Sequence, residues 1–227
     1  METEQAIWTG GTSWEPASTG RPDARFGALG DTANLVLAFG STKLLSDNSL
    51  VARIRELYPK ASILGCSTAG EICDTRVLDD SVAVTAVRFD SAEVRGTSLQ
   101  ISDPARSYDA GRDLAQQLAH KNLRHVFVLS DGIHVNGSDL VRGLTEHLPS
   151  QVSLTGGLSG DGERFHTTRV LWGDRSAPET VAAIGLYGAG LRVGYGSLGG
   201  WDPFGPDRLI TRSKGNVLYE VDGQSAL

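Results

Sequence analysis

The sequence predicts a mixed α/β fold: sheets flanked by helices, built as two similar halves of βαβ-plus-hairpin type. Three observations carry this. Apolar runs at 35–39 (LVLAF) and 126–129 (VFVL) each stop at small polar residues and are each followed by a helical period. Such unbroken runs suit strands buried on both faces. Proline closes the helical period in each half, at Pro59 and Pro149. Finally, a register links the halves. At an offset of 90, Leu50, Val51, Glu56, Pro59, Leu64 and Gly70 meet Leu140, Val141, Glu146, Pro149, Leu154 and Gly160.

In chain order, residues 1–31 read as an irregular N-terminal arm rich in Gly, Pro, Ser and Thr, with a short strand expected at 6–8. The strand at 35–39 breaks at Gly40-Ser41-Thr42. Asp47 or Ser49 caps a helix carrying Leu50, Ile54 and Leu57. Ile63-Leu64 opens into GCSTAGE at 65–71. VAVTAVRF (82–89) and VRGTSLQI (94–101), joined by a turn at Asp90-Ser91, carry a hairpin signal. The second half repeats the order. A helix begins at Ser107 or Asp109, followed by the strand at 126–129 and a helix started by Ser138 or Asp139. Then come Val152-Ser153-Leu154, the loop GGLSGDGE at 156–163, and strands at 181–187 and 191–198. The internal halves are about 35–101 and 107–200.

Composition narrows the function classes. The 227 residues have 40% hydrophobic content, enough for one large core. Net charge is −6 without a basic run, which argues against nucleic-acid partners. No apolar run approaches the roughly 20 residues of a membrane span, and the N-terminus does not read as a signal peptide. Cys66 and Cys73 form neither a disulfide framework nor a zinc spacing, so no metal is expected. A soluble cytoplasmic protein is the expectation.

Four polar loops follow predicted strands, at 40–43, 65–71, 130–138 and 156–163. With parallel strands, all four gather at the carboxyl edge where open α/β sheets bind ligands. The candidate ligand-binding residues are Cys66, Ser67, Thr68, Asp131, Asn136, Gly137, Ser138, Gly156, Gly157 and Asp161. Asp131 and Asp161 suit a ligand ammonium. The free N–H groups at a helix starting near Ser138 suit a carboxylate, and Asn136 would orient the ligand. Together they suit a zwitterion such as an amino acid. The same residue types also cap helices and stabilise turns.

Cys66 could act as a nucleophile if His134 and Asp131 reached it, which leaves a cysteine-dependent hydrolase or transferase as one alternative. A small structural cysteine is the commoner use, and GCSTAG lacks the flanking pattern of a nucleophile elbow. No catalytic residue is assigned. The glycines do not spell a phosphate-binding P-loop. His120, His125 and His147 are expected in solvated turns or helix ends. His134 and His166 are the axial candidates if a haem b is bound; otherwise no cofactor is expected.

The runs GCSTAGEI, LSDGIHVNGSDLVRGL and TGGLSGDGERFHTTRVLW resemble the N-terminal half of FIST proteins, over roughly residues 33–225. The resemblance implies a FIST N-terminal domain at 32–227 and a bacterial intracellular sensory module in signal transduction. Such a module would bind a small molecule such as an amino acid and relay occupancy to a histidine kinase or a cyclic-di-GMP enzyme. It implies a sensor and not an enzyme. Some members, the nitric-oxide-sensing NosP proteins, bind haem, which makes a haem-based sensor the other alternative. The family usually adds a C-terminal FIST domain, which is not present in this chain, and an N-terminal helix that is not evident in residues 14–31.

Overall fold

The computed structural model describes residues 1–11, 13–17, 26–196, 202–215 and 217–227. They form two compact units, residues 1–193 and 194–227. In chain order the first unit contains β1 (Glu2–Trp8), β2 (Glu15–Pro16), β3 (Leu35–Gly40), α1 (Thr42–Leu45), α2 (Asn48–Leu57), β4 (Ser62–Ser67), β5 (Glu71–Cys73) and β6 (Arg76–Leu78). It continues with β7 (Val82–Arg88), β8 (Glu93–Gln100), α3 (Ser107–Leu118), β9 (Leu123–Ser130), α4 (Gly137–His147), β10 (Ser153–Leu158), β11 (Val170–Trp172), β12 (Arg175–Ala177) and β13 (Thr180–Tyr187). The second unit is a three-stranded antiparallel sheet of β14 (Ile210–Lys214), β15 (Val217–Val221) and β16 (Gln224–Ser225). None of its described residues is buried.

The mixed α/β class holds, with two principal sheets in the first unit. One has the order β12-β11-β4-β3-β7-β1-β2, the other β10-β9-β13-β8. The βαβ reading also holds: β3 runs parallel to β4 and β9 parallel to β10. The remaining partners are antiparallel: β7 on β3, β1 on β7, β13 on β9 and β8 on β13.

The apolar runs are explained by layering. Leu35, Leu64, Cys66 and Val87 of the larger sheet pack with Leu129, Ala182, Ile184 and Leu186 of the smaller one. On its other face the larger sheet presents Val36, Ala38, Ile63 and Val84 to Leu50, Val51 and Ile54 of α2. The smaller sheet likewise presents Val126, Val128 and Ala183 to Leu114 of α3 and Leu140 and Leu144 of α4. The result is helix, sheet, sheet, helix, so central strands are covered on both faces and β13 is buried along its whole length. Trp172 of β11 reaches across the sheets to Gly96 of β8, where even a Cβ would come within 2.0 Å of the indole.

Three sequence expectations change. Residues 82–89 and 94–101 do not pair with each other: β7 and β8 lie in different sheets, and the turn between them carries the chain from one sheet to the other. Strands adjacent in sequence that do pair antiparallel in the first unit include β1–β2, β5–β6 and β11–β12. The arm at 1–31 begins with a full strand, because Ala6, Ile7 and Trp8 are buried against β7. Residues 191–196 form no strand, and 197–198 lie outside the described residues, as do 18–25 of the arm. In the smaller sheet, β8 takes the place beside β13 that β1 takes beside β7.

Candidate functional site

The loops expected to gather do meet, and they are cross-linked. Thr68 N–H donates to the Gly40 carbonyl at 3.0 Å and Gly160 N–H to the Ser67 carbonyl at 2.8 Å. The Ser159 N–H and hydroxyl both donate to the Ser130 carbonyl, at 2.8 and 2.6 Å. The Thr42 hydroxyl donates to Asp161 Oδ1 at 2.7 Å. A further segment, 164–169, joins them: Ser67 N–H donates to the Arg169 carbonyl, and Arg169 N–H donates back to Ser67 Oγ, both at 2.9 Å. The carboxyl ends of both parallel pairs, β3–β4 and β9–β10, therefore feed one polar region.

Three buried carboxylates organise this region. Asp131 is 1% exposed. Its Oδ1 accepts the N–H groups of Ile133 and His134, at 2.8 and 2.6 Å, and His134 Nδ1 at 3.2 Å. Its Oδ2 accepts the Thr168 hydroxyl at 2.9 Å and Glu179 N–H at 3.1 Å. Burial pushes the Asp131 pKa up, but the donors from His134, Ile133, Thr168 and Glu179 outweigh it and hold the carboxyl below its usual range. Asp161 is 4% exposed and accepts Thr42 Oγ1, the Arg164 guanidinium and the N–H groups of His166 and Thr167. Here too burial acts upward, and the hydrogen bonds and Arg164 win, leaving its pKa well below the usual value. Glu71 accepts the hydroxyls of Thr68 and Ser81, at 2.7 and 2.6 Å, and Ser81 N–H at 3.2 Å. Among the described residues no buried side-chain polar atom lacks a partner.

The other candidates fall into distinct settings. Gly65, Cys66 and Ser67 belong to β4, and Gly156, Gly157 and Leu158 to β10, so both Gly-rich segments begin as strands. A Cβ on Gly65 would lie 2.0 Å from the Ala38 carbonyl oxygen, and one on Gly156 would lie 1.9 Å from that of Val128. These two glycines permit close strand approach, while Gly157 is exposed. The α4 cap is Asn136, not Ser138: Asn136 Oδ1 accepts Ser138 and Asp139 N–H at 3.1 and 3.3 Å, and Gly137 is the first helical residue.

Cys66 is 3% exposed inside the inter-sheet core, where burial pushes its thiol up to about 12. A thiol so placed stays protonated at neutral pH and out of reach of a base. His134 is half exposed beside Asp131, and His166 is exposed. His125, expected in a solvated turn, is buried in β9 between Ser153 Oγ at 2.8 Å and Thr155 Oγ1 at 2.9 Å. Burial lowers its pKa.

Thr168, Arg169, Ser81 and Glu179 were not legible as parts of this region. They are remote in sequence, and only the folded chain brings their donors to Asp131, Ser67 and Glu71. Two surface cavities lie elsewhere. One of about 490 Å³ is lined by Asn34, Lys60, Ser62 and residues 90–94, and one of about 150 Å³ by residues 99–103 with Arg106, Ala110 and Asp113.

These features define a layered α/β domain with one cross-linked polar edge and a core-bound cysteine. The chain belongs to the FIST N domain family, whose model matches residues 34–224. FIST is a family of sensory domains, so a ligand-binding signalling role is consistent with the fold. No curated protein matches the chain. None of the helices among the described residues is long and apolar enough to cross a membrane.

Proposed function

We propose that this chain is a sensory domain that binds a small polar ligand, such as an amino acid, at the polar edge and relays occupancy to a signalling partner such as a histidine kinase or a cyclic-di-GMP enzyme. The observation that carries the reading is the convergence of loops from both sheets on one cross-linked edge. A site between two parallel pairs is fixed by rigid strands, and a ligand touching both pairs biases their packing. Within it, Asp131 and Asp161 form the floor, their oxygens fixing the N–H groups of 133–134 and 166–167. His134 and Arg164 contact these carboxylates and are themselves partly exposed. Cys66, Ser67 and Thr68 hold the adjoining loop in place, and Asn136, Gly137 and Ser138 set the start of α4.

A thermal-shift screen of amino acids and related zwitterions, followed by calorimetry on a hit, tests this. Binding should weaken by about tenfold or more in Arg164→Ala, the range of a lost charge-assisted hydrogen bond. An Arg164→Ala variant with full affinity for the hit rejects the placement.

One observation favours a second reading, a haem-based gas sensor. Metal-binding imidazoles commonly direct their other ring nitrogen to a carboxylate, and His134 Nδ1 faces Asp131 Oδ1 at 3.2 Å. His134 thus fits a single axial ligand, whereas the exposed His166 side chain has no such support. Bound haem would supply the gas-binding iron, and Asp131 would hold the imidazole ring in place. A Soret band in protein purified without added haem, lost in His134→Ala, would select this reading over the first. The cysteine-dependent enzyme has no such support, because Cys66 lies in the core.

A further inference from the structure

Four strands border the two principal sheets, and three of them carry features that discourage pairing with another chain. β2 has two residues, Glu15 and Pro16. β12 has three, includes Arg175 and runs into Pro178. β8 carries Glu93 and Arg95. Short length, proline and charge are the usual protections of a sheet edge. β10 has none of them. It reads Ser-Leu-Thr-Gly-Gly-Leu, and residues 150–160 hold no charge. The equivalent strand of the larger sheet is covered: β4 is flanked by β11, with Val170, Leu171 and Trp172 opposite Cys66, Gly65 and Leu64. Among the described residues nothing pairs with the outer side of β10, and residues 156–158 are exposed.

The parity of the strand shows which groups are open. Ser159 N–H points to β9, where it meets Ser130. Alternation then turns the N–H and C=O groups of Leu154, Gly156 and Leu158 outward. Leu158 is 51% exposed, and its side chain lies against Gly137 at the start of α4. One helical turn on, Val141 is 45% exposed on the same side. An unprotected edge is thus flanked by two exposed apolar side chains.

We propose that this edge is a self-association surface, occupied by β10 of a second copy of the chain in antiparallel register about Gly156. A two-fold axis there sets each Leu154 opposite the partner copy's Leu158 and brings the two Val141-bearing faces of α4 together. The strand is its own complement: an uncharged edge meets an uncharged edge, and each outward N–H faces an outward C=O. Because β10 has one open side, the contact closes as a dimer and does not propagate. The smaller sheet becomes a continuous eight-stranded sheet whose two halves each run directly into Ser159 and Asp161.

Sedimentation velocity of the full 227-residue chain over a concentration series tests this. The wild-type chain should show a reversible monomer–dimer equilibrium. Leu158→Pro removes an outward N–H and no bond to β9; Val141→Glu puts a charge on an exposed helix face. Each should weaken self-association by about tenfold or more, with circular dichroism and melting unchanged for Val141→Glu. If Leu158→Pro does not fold, Val141→Glu alone decides the matter. A wild-type chain that stays monomeric throughout, or a dimer of unaltered affinity in Val141→Glu, overturns the proposal.

Discussion

Asp131 gathers five donors from three segments on two oxygens, and no neighbouring residue type could do the same work. An Asn there still accepts at one oxygen, but its amide faces the Thr168 hydroxyl or Glu179 N–H with a donor. Asp131→Asn should therefore cost about 1–3 kcal/mol at neutral pH, measured by urea unfolding. The pH dependence has a definite sign. The folded carboxyl has a lowered pKa, so its contribution is fully present above the usual carboxylate value, about pH 4, and is lost as pH falls through the folded value. The Asn variant should lose less stability than wild type on acidification below about pH 4; parallel acid curves would mean that Asp131 does not titrate with folding. Cys66 makes the opposite point. Cys66→Ala leaves a small side chain in the inter-sheet core and should cost little, whereas Cys66→Leu overpacks it by about 1–3 kcal/mol. Rapid modification of Cys66 by a thiol reagent in the native state would contradict its burial.

At the level of elements, glycine position separates structural from permissive sites. Gly65 and Gly156 occupy corresponding places in the two parallel pairs, each against the carbonyl of its neighbour, Ala38 and Val128. Adding a methyl there must push strands apart, so Gly65→Ala and Gly156→Ala should each destabilise by about 1–3 kcal/mol. Gly157 has open space at its Cβ position, and Gly157→Ala should change the melting temperature little. Equal effects at 156 and 157 would overturn the packing argument. Helix α4 adds a second case, since its first free N–H groups are satisfied by Asn136. Asn136→Ala should cost about 1 kcal/mol and Ser138→Ala much less, read from chemical denaturation of both variants.

Over the first unit as a whole, a strand placed before each parallel pair in sequence joins its sheet beyond the antiparallel neighbour: β1 beside β7, β8 beside β13. A true N-terminal arm could be removed without harm. Deleting residues 1–8 instead strips β7 of a seven-residue partner and uncovers the sites of Ala6, Ile7 and Trp8. The truncated chain should melt well below wild type or fail to stay soluble, and an unchanged melting curve would show that β1 contributes nothing. The second unit behaves by itself: its described residues hold no buried side chain, and Phe204, Leu209, Ile210 and Val217 are exposed. Limited proteolysis should cut within 194–227 before it cuts within the first unit.

The sequence by itself determined the local layer of this protein. Continuous apolar runs marked β3 and β9 as doubly buried, Asp47 and the two prolines bounded α2 and α4, and the spacing of small polar residues located the loops that converge. Each of these is set by contacts within about ten residues, where propensity, capping and periodicity operate. What covers each apolar face, and which strands pair, was decided only in three dimensions. A β7–β8 hairpin and a sheet-crossing turn have the same local signature, and an apolar run reads alike whether a helix or a second sheet lies against it. For the same reason Asp131 and Asp161 were legible as loop carboxylates and Asn136 as a polar loop residue, but not as a closed acceptor floor and a helix cap. Each aspartate also draws on donors far along the chain, Thr168 and Glu179 for Asp131 and Thr42 for Asp161, and only strand pairing and the packing of one sheet on the other bring those groups within hydrogen-bond distance.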